Sequence, residues 1–152
     1  MKNVKITSEG TNHVAVDLGK FDELMDYTYI HPKLMKEVSG KLFTGELLKS
    51  TGAELSFTIL PPHFQSPFFH RHQKHEEIYI FLKGTGQFQV DDTVFDITEG
   101  SVIRIAPQGS RIYRNNSENP LIFICIQVPA GTLESRYVED GLRAKGDILW
   151  NK

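Results

Sequence analysis

Short apolar and β-branched runs, separated by turn residues, fill the chain from residue 41 to residue 128. Runs of this length and composition predict β-strands. The predicted strands are residues 41–49, 53–60, 68–72, 77–82, 85–90, 93–97, 101–105, 111–114 and 121–128. No segment in this stretch has the length and periodicity of a helix. Many short strands joined by turns predict an all-β sandwich or barrel.

The first 40 residues follow a different pattern. Residues 4–6 and 14–18 predict two short strands, and the apolar positions within residues 21–29 follow helical spacing. Pro32, followed after six residues by Ser39 and Gly40, predicts a short helix over residues 32–38. We interpret residues 1–40 as an N-terminal extension that packs on the barrel or on a partner subunit. Residues 41–130 then form the barrel, and residues 131–152 form a C-terminal extension.

Composition narrows the class of protein. The 152 residues are enough for one domain, and a net charge of −2 provides no electrostatic footprint for nucleic acid or anionic membrane. No apolar run approaches the length of a membrane span. The single cysteine, Cys125, excludes an intramolecular disulfide, and its apolar surroundings predict a buried, inert thiol. We therefore expect a cytoplasmic protein whose partners include neither nucleic acid nor membrane.

Candidate chemistry is concentrated at His70, His72 and Glu77. Alternate residues of a strand lie on one face, so the two imidazoles can lie side by side. If Glu77 faces the same way, its carboxylate completes a set of donors suited to a divalent first-row metal. A His-x-His pair alone is a weak signal, and the spacing around it carries the prediction.

That spacing resembles the first motif of the cupin superfamily. The motif residues are His70, His72, Glu77 and, after six intervening residues, Gly84. Most of a second motif follows at residues 100–116, so the chain is similar to single-domain cupins of the conserved-barrel type from about residue 53 to residue 128. The resemblance implies a double-stranded β-helix, or jelly-roll barrel, with one divalent metal inside and a homodimeric assembly.

The second motif lacks the histidine that supplies the fourth cupin ligand. Alignment on Gly100 and Asn115, which we favour, places Arg111 at that position, whereas alignment on Pro107 and the glycine two residues later places Ile112 there. A guanidinium cannot ligate a metal. Arg111 can instead bind an anionic group of a ligand, pair with Glu77, or face solvent.

Two functions remain open. The first is a metal-dependent enzyme of the dioxygenase or isomerase type, which uses iron, manganese, nickel or zinc on a small polar molecule in an aromatic-lined pocket. The second is a non-catalytic module, either metal-free or with a structural metal, that binds or senses an anionic metabolite. For both functions the predicted pocket residues are Arg111, Phe68, Tyr79, Phe81, Phe88 and Tyr113.

Overall fold

The computed structural model describes residues 2–150, and this part of the chain is built almost entirely of strands. It contains twelve strands and one 3₁₀ helix, Phe21–Asp26. The strands are β1 Lys5–Gly10, β2 His13–Asp17, β3 Thr28–His31, β4 Lys36–Ser39, β5 Lys41–Phe43, β6 Glu54–Leu60, β7 His75–Lys83, β8 Thr85–Val90, β9 Thr93–Thr98, β10 Val102–Ile105, β11 Arg111–Arg114 and β12 Leu121–Pro129.

Two antiparallel sheets form the barrel. The larger has the strand order β10-β7-β12-β6-β5, and the smaller has the order β11-β8-β9. Alternate residues of β7 are buried, so that Tyr79 and Phe81 face the interior together with Phe123 of β12. From the smaller sheet, Phe88 packs against Tyr79 with ring centroids 5.0 Å apart. The predicted all-β jelly-roll barrel is therefore confirmed.

The N-terminal residues cover the outer face of the larger sheet. Leu24 in the 3₁₀ helix and Tyr27 just after it are buried against Ile59 of β6 and Ile122 of β12. Ile59 and Ile122 face away from the barrel interior, so β6 and β12 are covered on both faces. The strands predicted near residues 4–6 and 14–18 appear as the β1–β2 hairpin. The helical spacing over residues 21–29 corresponds to the shorter 3₁₀ helix.

The prediction of a helix over residues 32–38 is wrong. The chain forms a β3–β4 hairpin there, and residues 32–35 make the turn. Met35 adopts a positive φ of 51°, and its N–H donates to the carbonyl of His31. Tyr29 of β3 packs edge-on against Phe43 of β5, with ring centroids 5.2 Å apart. Packing of the hairpin against the neighbouring sheet thus overrides the local helix signal.

Two predicted strands are also shorter than expected. The strand over residues 41–49 ends at Phe43, because residues 45–49 form a turn in which the N–H groups of Leu48 and Ser50 donate to the carbonyls of Thr44 and Gly45. Residues 68–72 form no continuous strand and make only an isolated bridge.

Residues 131–150 contain no strand or helix, while residue 1 and residues 151 and 152 lie outside the described part. The domain boundaries at residues 40 and 130 stay a prediction. Within residues 2–150, no helix combines the length and apolar character needed to cross a bilayer.

Candidate metal centre

A single antiparallel bridge brings His70 and Arg111 together. The N–H of His70 donates to the carbonyl of Arg111 at 3.1 Å, and the N–H of Arg111 donates back to His70 at 3.0 Å. Residues directly opposite in such a pair project to the same face, so both side chains turn towards the barrel interior. His72 lies two residues further on and is fixed by a hydrogen bond from its N–H to the carbonyl of Pro107, at 3.1 Å.

Glu77 lies on the inner face of β7, between β10 and β12. Ile105 and Gln127 are its cross-strand neighbours, and the residue is only 5% exposed. One donor atom from each of His70, His72 and Glu77 lies within 4.8 Å of the other two. The fold therefore brings together the three residues that the sequence predicts as metal ligands.

The Glu77 carboxylate is held by three neighbours. Its Oε1 is 2.9 Å from Nε2 of His72, whereas Oε2 accepts a hydrogen bond from the Tyr79 hydroxyl at 2.6 Å. Oε2 also accepts hydrogen bonds from Nε of Arg111 at 3.1 Å and from Nη2 of the same side chain. Burial raises the pKa of Glu77, but the Tyr79 hydrogen bond and the Arg111 charge together outweigh it and lower the pKa to about 2. Glu77 is therefore ionised at neutral pH.

Arg111 is only 1% exposed, and two of its three guanidinium nitrogens donate to this carboxylate. Its remaining terminal nitrogen, Nη1, donates to the carbonyl of Gly109 at 3.2 Å. Ile112 lies on the other side of β11, where it borders a surface groove with Gln65 and Phe69. The structure thus places Arg111, and not Ile112, beside Glu77, and it contains the ion pair that the sequence left as one of several alternatives.

The protonation state of His70 suits metal ligation. Burial and the positive charge of Arg111 lower the pKa of His70 to about 4. Its imidazole is therefore neutral at pH 7, and only a neutral imidazole can ligate a metal. The His70 and His72 rings meet edge to face with centroids 5.9 Å apart.

Comparison with known proteins identifies the family. Residues 56–127 match the sequence model of the cupin domain family. A crystal structure of a cupin protein from Bacteroides fragilis is 30% identical to the chain, covers 95% of it, is itself covered completely, and superposes with a TM-score of 0.67. The chain belongs to the cupin superfamily.

Two further proteins show how far the likeness extends. An uncharacterised protein of Methanocaldococcus jannaschii is 28% identical over 106 residues, which span 68% of this chain and 84% of that protein. A structure described as a predicted oxalate decarboxylase from Thermotoga maritima is 24% identical, with a TM-score of 0.53 over 61% of this chain and 79% of that one. At that identity, the second relative shows the fold alone.

The donor set of this cupin fits a divalent metal, although one position differs from the family motif. Two imidazoles and an ionised carboxylate converge, and one carboxylate oxygen, Oε1, is directed at His72 rather than at Arg111. These are the ligand types that zinc and iron use in sites that keep open positions. Arg111, which the alignment favoured above places at the position of the fourth cupin ligand, lies beside Glu77 and contributes a positive charge instead of a donor atom.

The predicted aromatic pocket residues divide into two groups. Tyr79, Phe81, Phe88 and Tyr113 pack closely, and Phe81 and Phe88 are 2% and 1% exposed, so these two side chains fill the barrel core. Phe68 is 41% exposed and lies outside this core, with its ring 6.5 Å from that of His70. Contact of any of these residues with a ligand stays a prediction.

Sequence reasoning missed two features of the site. Tyr79 was expected only as an aromatic wall, yet its hydroxyl holds Glu77. Lys41 was not considered, although it lies on β5 opposite buried Thr58 and therefore faces inward. The alternation of β5 against β6 is the signal that places it, and this signal becomes visible only when the strand partners are known. Cys125 is buried as predicted, and burial raises the pKa of its thiol to about 12.

Proposed function

We propose that this cupin binds one divalent transition metal through His70, His72 and Glu77 and acts on a small polar molecule beside it. The supporting observation is the convergence of the three donor groups within 4.8 Å. When bound, the metal would supply Lewis-acid or oxygen-activating chemistry, for which iron, manganese, nickel and zinc are the candidates. A dioxygenase or isomerase type of reaction fits this chemistry.

The surrounding residues prepare Glu77 for this role. Tyr79 and Arg111 both donate to Oε2, which keeps the carboxylate ionised and fixes its orientation. Oε1 is left to face His72. Hydrogen bonds that orient a ligand in this way support metal affinity, whereas the positive charge of Arg111 opposes a bound cation, and we expect the effect of the charge to be the larger of the two.

The test is elemental analysis of protein purified without chelator or affinity metal, compared with the variant His70→Ala/His72→Ala. We expect near-stoichiometric metal in the unmodified protein and none in the double variant. His63→Ala is a matched control, because His63 is exposed and pairs with Glu118 away from the cluster. If no metal is bound and none is taken up on titration, the proposed metal function is wrong.

A second candidate function is metal-independent binding or sensing of an anionic metabolite. The observation that favours it is the buried Arg111–Glu77 ion pair, which neutralises the carboxylate without a metal. Thermal-shift screening of sugar phosphates and aromatic acids in the presence of chelator tests this function. Stabilisation by an anion in chelator supports it, whereas stabilisation that requires added metal contradicts it.

We also propose that the protein is a cytoplasmic homodimer. Two features support the assembly: β10 and β5 are the edge strands of the larger sheet, and Val102 on β10 is 64% exposed. Pairing such edges between subunits protects them from aggregation. Light scattering coupled to size exclusion tests the assembly, and a monomeric mass at high protein concentration would contradict it. A free cysteine is consistent with the reducing cytoplasm.

A further inference from the structure

Lys41 is a positive charge inside the barrel that the ion pair does not balance. It lies on the edge strand β5, directly opposite Thr58 of β6, and Thr58 is 3% exposed. Cross-strand partners share a face, so the Lys41 side chain enters the interior with Thr58. Its Nζ lies 4.9 Å from the centre of the Phe43 ring.

The ammonium group of Lys41 has no acidic partner in the described part of the chain. Among residues 2–150, no carboxylate oxygen lies within 4.0 Å of its Nζ. Glu77, the carboxylate of the donor cluster, is occupied by Arg111, Tyr79 and His72. Lys41 is only partly exposed, and a cation partly withdrawn from water without a counter-charge is one that an anionic ligand can stabilise.

A second unpaired polar group lies next to Lys41. The hydroxyl of Thr58 is buried and has no hydrogen-bond partner among the described residues. A buried hydroxyl without a partner loses free energy relative to water, unless a ligand or an ordered water satisfies it. The ammonium and the hydroxyl together provide the donors that a carboxylate or phosphate oxygen accepts.

The strand register places Lys41 on the same face of the larger sheet as Glu77. Thr58, the partner of Lys41, lies opposite Phe123 of β12, and Phe123 lies opposite Phe81 of β7. Glu77 precedes Phe81 by four residues on β7 and projects to the same face. Lys41 and Glu77 therefore both face the barrel interior.

We propose that Lys41 and Thr58 form an anion-binding subsite that holds the carboxylate or phosphate group of the substrate beside the His70–His72–Glu77 cluster. This inference rests on the small-molecule function proposed above and names the substrate class and the groups that recognise it. It gives the binding of the anionic group to Lys41 and Thr58 and leaves Arg111 to pair with Glu77, one of the alternatives open from the sequence, because the hydrogen bonds of Arg111 go to Glu77 and Gly109.

The test is titration calorimetry with two probes, oxalate and inorganic phosphate, at low ionic strength. Each probe is titrated into chelator-treated protein and into protein loaded with one equivalent of Zn²⁺. Loss of a charged donor should weaken binding of the preferred probe by about tenfold or more in Lys41→Gln, and loss of the hydroxyl should weaken it by roughly threefold to tenfold in Thr58→Val. Lys41→Arg should lose less than Lys41→Gln, because it keeps the charge.

Lys83→Gln is the matched control. Lys83 is a half-exposed lysine that pairs with Asp22 at 2.8 Å on the outer surface, so its loss should leave probe binding unchanged. A second readout does not depend on the folding of the variants. After reductive ¹³C-methylation of the unmodified protein, addition of the probe should shift the Lys41 resonance, which is assigned by its absence from Lys41→Arg.

The outcomes separate this inference from the metal function. The subsite is supported if Lys41→Gln binds either probe more weakly and Lys83→Gln does not. This holds for chelator-treated protein and for protein loaded with Zn²⁺. If Lys41→Gln binds as tightly as Lys83→Gln, or if neither probe binds and the Lys41 resonance stays unshifted in both arms, the subsite is overturned. If the metal function is wrong, the protein takes up no metal. The titration into chelator-treated protein then still tests whether Lys41 and Thr58 bind the probe.

Discussion

Arg111 provides the sharpest test of the site, because its guanidinium is buried against a single carboxylate. Replacing it with glutamine removes two charge-assisted hydrogen bonds to Glu77 and one hydrogen bond to the carbonyl of Gly109. It also leaves an ionised carboxylate, 5% exposed, without its counter-charge. Breaking a buried pair in this way typically costs about 3–5 kcal/mol, and we expect Arg111→Gln to lower the free energy of unfolding by that amount.

Urea unfolding in the presence of chelator measures this loss. The matched control is Arg104→Gln, because Arg104 pairs with Glu76, the neighbour of Glu77, in a more exposed position. An exposed pair of this kind contributes roughly 0–1 kcal/mol, so the control should be nearly neutral. If Arg111→Gln costs less than about 1 kcal/mol and matches the control, Arg111 does not hold Glu77 in solution.

A double-mutant cycle isolates the interaction itself. Arg111→Gln/Glu77→Gln removes both charges, so it should cost less than the sum of the two single changes by about 2 kcal/mol or more. Divalent metal provides a second readout. The guanidinium and a bound cation compete for the same carboxylate, so Zn²⁺ should bind Arg111→Gln about tenfold or more tightly than the unmodified protein. Additive costs in the cycle and equal Zn²⁺ affinities would together refute the reasoning.

Three further predictions concern stability. The pKa of Glu77 is lowered from 4.5 to about 2 and that of His70 from 6.5 to about 4, so unfolding takes up protons at both groups. The free energy of unfolding, measured in urea, should therefore fall as the pH drops from 6.5 towards 2. Glu77→Gln should flatten this pH dependence below pH 4.5, and an unchanged pH dependence would contradict the lowered pKa of Glu77. Phe88→Ala removes a ring that is 1% exposed in the packed core and should cost about 3–5 kcal/mol by thermal unfolding, and a loss below about 1 kcal/mol would contradict the packing. Gly84→Ala should cost about 2 kcal/mol or more, because Gly84 has a φ of +89° and an added Cβ would overlap the carbonyl oxygen of Pro120. Gly100→Ala has a similar φ of +85° but no neighbour within 4 Å, so it should cost less, and equal losses would contradict the steric argument.

Much of the fold and of the donor set could be predicted from the sequence, because both depend on local spacing. Strand-forming runs between turns predict a barrel wherever their apolar faces can meet. His70 and His72 are two residues apart, and Glu77 is the third residue of β7, so the three donors are close together along the chain. Hydrogen bonds to Arg111 and Pro107 then hold the two histidines in place. The same local reasoning predicted that Cys125 is buried.

Local signals failed where packing between distant segments decides the structure. Residues 32–40 begin with a proline and end with a glycine, as a short helix would, yet they form part of a hairpin that packs Tyr29 against Phe43. Residues 44–49 are predicted as the second half of a strand, but the N–H groups of Leu48 and Ser50 donate to the carbonyls of Thr44 and Gly45 and turn the chain there. Propensity contributes tenths of a kilocalorie per residue, and tertiary packing contributes more.

The sequence by itself determined the barrel, its family and the three donor residues at its centre. The tertiary structure alone decided that Arg111 pairs with Glu77, 34 residues away in the chain, and that Lys41 faces the interior opposite Thr58. The reason is physical. Spacing along a strand fixes which residues share a face, but the identity of the residue opposite is set by which strands pair and in what register.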